Sequence, residues 1–327
     1  AQKVQKAQRL MDDMIDLEIE QVDKIIRKIE ADNQPKNVKK IEKDLWENIR
    51  SRAINGRRTG LGITGLGDML AMMGITYGSE ESIEITEEVY KWLALNSYES
   101  SIVLAKERGS FPSWNYFLEK DHDFVSKIIN ELLPHRVEDY KEFGRRNIAN
   151  TTTAPAGSVS VLTQTTSGIE PAFMLHYTRR KKLTGQDADA RVDFVDDSGD
   201  KWQEYTVYHH GFKSWMNHIE NSNPDSFNNL SDEEIASMSP YSGAIANEID
   251  WVSKVRMQAA AQKWVCHAIS NTTNLPADID VETVKKVYMT GWELGCKGVT
   301  VYREGSRSGV LVSSSEAADT PERSFTT

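Results

Sequence analysis

Only two cysteines occur in 327 residues, Cys266 and Cys296, thirty positions apart. Two thiols at that spacing make neither a disulfide framework nor a metal-ligand pattern, and they fit a reducing compartment; a cytoplasmic location is the expectation. No run of 18 apolar residues occurs, so no membrane-spanning helix is expected. No segment reads as a secretory signal. Lysine and arginine (39) are outnumbered by aspartate and glutamate (49), for a net charge of −10, and they form no basic cluster. Direct nucleic-acid binding is therefore not expected. An acidic chain can still bind a nucleotide, provided the phosphate site is local.

What is present suits a soluble α/β protein: 39% hydrophobic residues for a core and 27% charged residues for a surface. The chain opens at Ala1 in a charged helical stretch without a cap, and beyond Val312 it is polar and uncapped; the expectation is a piece cut from a longer protein. Met11, Ile15, Ile19, Val22, Ile26 and Ile29 trace a helical stripe that Asp32-Asn33-Gln34-Pro35 breaks. A second helix carries Ile41, Leu45, Trp46, Ile49 and Ala53, and a third runs from about Thr64 to Met73, stopping at Gly74. A fourth, from Thr86 to Arg108, is expected to turn Val89, Trp92, Leu93 and Val103 inward and to end at Gly109. Residues 191–208 read as a β-hairpin turning at Ser198-Gly199, and the acidic run within it as a solvated turn rather than a metal site. A helix is expected over 249–268, ended by Asn271 to Pro276. Another is expected over 281–294, closed by Gly295, and then a short buried strand over 298–302. Helices alternating with short strands argue an α/β fold. Residues 313–327 are of low complexity, and a disordered tail is expected there.

Two motifs bear on chemistry. Gly60-Leu61-Gly62-Ile63-Thr64-Gly65 matches GxGxxG, but no hydrophobic strand precedes it and no acidic residue closing a second strand appears near position 80. A dinucleotide fingerprint needs both, so close packing of a helix on a neighbouring backbone is the better reading. Ala154-Pro155-Ala156-Gly157-Ser158-Val159-Ser160 combines a fixed φ at Pro155, open space at Gly157 and hydroxyls at Ser158 and Ser160. A helix starting near Ser158 would aim unpaired N–H groups at an anion. On composition alone, an ordinary capped turn stands level with that reading. Cys266 and His267 are neighbours within the expected helix and so do not face each other; buried structural thiols are the expectation for both cysteines. His209-His210 reads as a strand-end pair, not a metal site. No metal site is expected anywhere.

Three stretches together resemble the large catalytic chain of ribonucleotide reductases. They are Arg58 to Leu66; Asn150 through Pro155-Ala156-Gly157-Ser158-Val159-Ser160 to Ser167-Gly168-Ile169-Glu170-Pro171; and Ser270 to Pro276 followed by Leu294-Gly295-Cys296-Lys297-Gly298-Val299-Thr300-Val301-Tyr302-Arg303. The resemblance covers roughly residues 1–312. It implies the C-terminal portion of a ten-stranded α/β barrel built of two parallel five-stranded halves, with residues 191–208 as a hairpin insertion. Gly295 to Arg307, with no adjacent tyrosine pair at Thr300-Val301-Tyr302, resembles the adenosylcobalamin-dependent branch.

The resemblance implies ribonucleotide reduction by radical chemistry, with adenosylcobalamin as cofactor. The partners it implies are a ribonucleotide substrate, the N-terminal part of the same enzyme, a thioredoxin-like or dithiol reductant, and a homodimer as one allowed assembly. It assigns the substrate phosphates to Ala154, Pro155, Ala156, Gly157, Ser158, Val159 and Ser160. Ala156 departs from the commoner hydroxyl-bearing residue, which shifts the work to backbone N–H groups. The family's Asn-x-Cys-x-Glu stretch is not in this sequence, so no catalytic residue is expected in it. The alternatives are a large chain that takes its radical from a partner subunit and a non-catalytic nucleotide-binding fragment.

Overall fold

The computed structural model describes residues 1–183, 190–195 and 199–306. The expected tail at 313–327 and Ser198 of the expected turn lie outside the described residues.

Helix α1 (Gln2–Ala31) buries Ile15, Val22 and Ile29 on the predicted stripe, but also Gln8 and Asp12. Pro35 starts α2 (Lys36–Gly56), which lies against α1 and buries no residue fully; Ile41 and Leu45 face outward. Gly65, at φ +82°, admits the chain to α3 (Leu66–Met72). The Ser79 hydroxyl caps α4 (Glu80–Arg108), and Gly109 ends it as expected.

The inward face of α4 is rotated from the prediction. Leu93 is buried, but Trp92 is 56% exposed. The buried stripe runs through Thr86, Tyr90, Leu93, Ser97, Ser101 and Leu104. Four of those six residues carry hydroxyls, and a reading that follows only aliphatic residues misses them. Their hydroxyls are satisfied inside: Ser97 donates to Gln8 Oε1 (2.7 Å) and Ser101 to Asn147 Oδ1 (3.0 Å).

Short helices α5 (Tyr116–Glu119), α6 (Asp123–Ser126) and α7 (Val137–Phe143) return the chain to the core, where Tyr98, Ile102, Ile128, Ile129 and Tyr140 pack. After α8 (Gly157–Thr163) comes an antiparallel sheet of β1 (His176–Lys182), β2 (Phe194–Val195) and β3 (Lys201–Tyr208), in the order β1-β3-β2. The predicted hairpin is the β2–β3 pair. The longer partner of β3 is β1, registered His176 on Tyr208 through Lys182 on Trp202. Its sequence, His-Tyr-Thr-Arg-Arg-Lys-Lys, is too polar to read as a strand, because four of its residues are exposed.

Helices α9 (His210–Ser222) and α10 (Asp232–Met238) form a second core with Leu175, Phe212, Ile235 and Tyr241. Helix α11 (Trp251–Gln262) stops six residues short of the predicted 268. The Gln262 side chain donates to the carbonyls of Val265 and His267 (both 2.9 Å), which holds the chain as it leaves the helix. Cys266 is therefore not helical. The stretch expected to end that helix is strand β4 (Thr272–Leu275), whose residues alternate half-buried and buried. Helix α12 (Val281–Glu293), capped by Asp280, leads through Gly295 (φ +78°) to β5 (Thr300–Arg303), which is half-buried to exposed rather than buried.

Four segments run parallel side by side. Thr59 and Leu61 N–H donate to the carbonyls of Ala149 (3.0 Å) and Asn150 (2.8 Å). His267 and Ser270 N–H donate to the carbonyls of Thr151 (3.2 Å) and Thr153 (2.8 Å). Parallel bridges join Leu61 to Thr151 and Thr153 to Ile269, and β4 pairs with β5 from Thr272 on Thr300 to Leu275 on Arg303. Helices fill every crossover, as parallel pairing requires. The architecture is thus α/β with a parallel wall of four segments; a closed ten-stranded barrel is not contained in the described residues. Among them, no helix is long and apolar enough to cross a membrane.

Candidate functional site

A cleft of about 860 Å³ opens beside the parallel wall, lined by Thr272 and Asn274 of β4, Thr300 and Tyr302 of β5, and residues of the 165–174 loop. Tyr177 and His209 complete it. The cleft runs along β4 and β5 from their first residues, Thr272 and Thr300, to Asn274 and Tyr302.

One wall is held by a buried carboxylate. Asp68 Oδ2 accepts the N–H of Thr166 (2.7 Å), while Oδ1 accepts the Tyr241 hydroxyl (2.8 Å) and lies 2.7 Å from His209 Nε2. Burial alone would raise the Asp68 carboxyl, but the bonds from His209, Thr166 and Tyr241 hold it below its ordinary value. An ionised carboxylate only accepts, so His209 donates from Nε2. His209 does sit at a strand end, as expected. Its place in the cleft wall was not legible, because Asp68 is 141 residues away.

A buried lysine lies behind Asn274. Lys254 of α11 is fully buried, and its Nζ donates to Asn274 Oδ1 (3.1 Å). Glu170 Oε1 accepts the N–H of Thr272 (2.8 Å). Burial pushes Lys254 down to about 8, against the pull of the Glu170 charge, and burial pushes Glu170 up. Sequence reasoning missed Lys254. Its signal is a lysine on the same helical stripe as Val255 and Gln258, both buried.

The loop 154–160 does not line this cleft. It follows the second parallel segment and rests against Gly168, where an added Cβ would lie 3.4 Å from the Ala154 carbonyl. Ala154, Pro155, Gly157, Ser158 and Val159 are exposed, and Ala156 is half-buried. Helix α8 starts at Gly157, close to the expected Ser158, and its first intrahelical bond runs from Ser160 N–H to the Ala156 carbonyl (2.7 Å). The N–H groups of Gly157, Ser158 and Val159 precede that bond and stay outside the helix ladder. Ser160 is buried and its hydroxyl donates to the Gly157 carbonyl (2.8 Å), so that hydroxyl closes the turn instead of facing out.

The GxGxxG match is a packing device, but not of a helix. Gly60 and Gly62 lie in the first parallel segment, and a Cβ at Gly62 would sit 2.6 Å from the Thr152 carbonyl oxygen. Both cysteines are structural in their surroundings. Cys266 Sγ accepts the N–H groups of Asn150 (3.1 Å) and Thr151 (3.2 Å). Cys296 packs with Val287 and Val299, and burial pushes its thiol up to about 11. Asp12, Asp13 and Asp16 converge closely enough for a metal, yet Arg57, Arg108 and Arg146 already occupy Asp12.

The family described as "Ribonucleotide reductase, barrel domain" matches residues 3–302. A vitamin B12-dependent ribonucleoside-diphosphate reductase of Mycobacterium tuberculosis (strain CDC 1551 / Oshkosh) is 31% identical over 265 residues, 79% of this chain and 33% of the relative. One of Thermoplasma acidophilum is 30% identical over 262 residues, 80% of this chain and 30% of the relative. The chain thus spans about a third of these relatives. Among solved structures, the Actinobacillus ureae class Id ribonucleotide reductase alpha subunit matches with a TM-score of 0.50 at 18% identity, covering 78% of this chain and 41% of that one; it supports the α/β barrel-type fold alone. With its sequence matched from residue 3 to 302, the chain belongs to the ribonucleotide reductase barrel-domain family.

Proposed function

We propose that this chain forms part of the catalytic barrel of an adenosylcobalamin-dependent ribonucleoside-diphosphate reductase. The reaction converts a ribonucleotide and a dithiol into a 2′-deoxyribonucleotide, a disulfide and water. The carrying observation is the 31% identity, across 79% of this chain, to the vitamin B12-dependent M. tuberculosis enzyme. Strand β5 supports the same branch: Tyr302 lies between Val301 and Arg303, which leaves no adjacent tyrosine pair for a radical relay from a second subunit. The four parallel segments are read as part of a ten-stranded barrel, completed by the remainder of the enzyme. A thioredoxin-like or dithiol reductant and a homodimeric assembly belong to this reading.

The cleft, at about 860 Å³, has the size of a nucleotide-scale pocket. Loop 154–160, outside the cleft but against Gly168 of the 165–174 loop, takes the substrate phosphates through the N–H groups of Gly157, Ser158 and Val159 and the exposed Ser158 hydroxyl. Pro155 stiffens the approach, and Gly157 leaves it open. The exposed residues next to the cleft would hold the cofactor's macrocycle. Val161 and Leu162 of α8 are 79% and 84% exposed, beside the cleft-lining Thr165, and have the apolar chemistry to hold its flank. When bound, the cofactor supplies a radical by cobalt–carbon homolysis. The chain's own residues bind the nucleotide, shape the cleft and exclude water.

The test is deoxynucleotide formation by the enzyme that contains this chain, with adenosylcobalamin, dithiol and a ribonucleoside diphosphate, and no second subunit. Turnover is expected. Turnover that needs a second subunit and ignores adenosylcobalamin would overturn the cobalamin assignment.

A further inference from the structure

Positive charge is clustered at one place, contrary to expectation: Arg179, Arg180, Lys181 and Lys182 are consecutive exposed cations on β1. Strand alternation divides them between the two faces of the sheet. On one face Arg180 pairs with Glu204 (2.8 Å) and lies over the Phe194 ring, and Lys182 pairs with Asp200. On the other face the residues opposite Arg179 and Lys181 in the ladder are Tyr205 and Gln203, neither of them acidic. Arg179 has no ion pair or hydrogen bond among the described residues, and Tyr205 beside it is 41% exposed.

That second face leads to the cleft. Tyr177, two residues before Arg179, lines the cleft, and so does His209, which continues the same alternation one residue past β3. Same-face neighbours on a strand are roughly 6–7 Å apart. Arg179 therefore lies within a Debye length of the cleft rim, about 10 Å at 0.1 M salt. The chain carries a net charge of −10, which repels an anion at long range. A local cation beside an opening offsets that repulsion where it matters.

We propose that Arg179 is an electrostatic guide: it draws an anionic nucleotide to the cleft and speeds its association without holding it once bound. The assignment rests on the nucleotide-binding reading above and deepens it, because it gives the β1–β3 sheet a part in capturing the nucleotide. A guide acts through its field, so its effect falls on association alone, and salt removes it.

The experiment is stopped-flow fluorescence with the 327-residue chain and adenosine diphosphate carrying an N-methylanthraniloyl group, at about 0.02 M and about 0.5 M salt, folding being checked by thermal melts. At low salt Arg179→Gln is expected to slow association about threefold and Arg179→Glu about tenfold, with dissociation unchanged and both differences lost at high salt. Lys40→Gln removes the same net charge from an exposed position of α2, which does not line the cleft, and is expected to associate like the wild type. Association as fast in Arg179→Glu as in the wild type, a loss that falls on dissociation instead, or equal slowing by Lys40→Gln overturns the guide but leaves nucleotide binding standing. A wild type that binds no nucleotide overturns both.

Discussion

Asp12 is fully buried, with Arg57 at 2.8 Å, Arg146 at 3.1 Å and the Asn147 amide at 3.0 Å. It ties α1 to the start of the first parallel segment and to the entry of the second. Burial opposes its charge, but the bonds and charges of Arg57 and Arg146 outweigh burial and hold its carboxyl below the ordinary value. Removing one partner of such a group leaves buried cations uncompensated, so Asp12→Ala should lose about 3–5 kcal/mol in urea unfolding at pH 7. Its folded value is depressed, so its contribution is complete above the unfolded value near ~3.9 and is lost as pH falls through the folded one. Wild-type stability should therefore fall on acidification below about pH 4, and Asp12→Asn should flatten that part of the curve. The cysteines call for milder outcomes. A serine oxygen at Cys266 can accept the same two N–H groups, so Cys266→Ser should fold and, in the complete enzyme, turn over. Cys296, with its thiol pushed up to about 11, should resist alkylation at neutral pH in the folded chain and react on denaturation. Rapid labelling of native Cys296 would contradict this packing.

At the scale of elements, two glycines separate packing from binding. A Cβ at Gly62 would meet the Thr152 backbone oxygen at 2.6 Å, so the first two parallel segments would have to part. Gly62→Ala should cost about 1–3 kcal/mol, read from denaturant midpoints. A Cβ at Gly157 meets nothing within 4 Å, so this position tolerates a side chain. Gly157→Asp at the start of α8 places a negative charge where the helix dipole favours one. Its melting temperature should stay level or rise, while its affinity for adenosine diphosphate should drop at least about tenfold through repulsion of the phosphates. Equal affinity in both proteins would remove loop 154–160 from the phosphate site. Helix boundaries follow a similar logic. The ends of α4 and α12 were legible because Gly109 and Gly295 adopt positive φ. The end of α11 was not, because a long-range partner strand and the Gln262 side chain set it.

For the molecule as a whole, the expected outcome is that this chain alone makes no deoxynucleotide with adenosylcobalamin, dithiol and ribonucleoside diphosphate. The sequence holds no Asn-x-Cys-x-Glu stretch, and its two thiols are committed to packing and backbone contacts. Deoxynucleotide formation by the purified chain, followed by chromatography, would show another thiol at work. The sequence by itself determined the family, through three motif stretches whose order survives in the match over residues 3–302. It also determined most helices, since their caps and stripes are local. Only the tertiary structure decided that four segments spread over the chain form one parallel wall, that most of the stripe of α4 carries hydroxyls, and that Glu170 and Asn274 line one cleft with Lys254 bonded to Asn274. Those facts depend on pairings across many tens of residues. Local propensity carries no record of which distant strand, carboxylate or amide will arrive to satisfy a buried group.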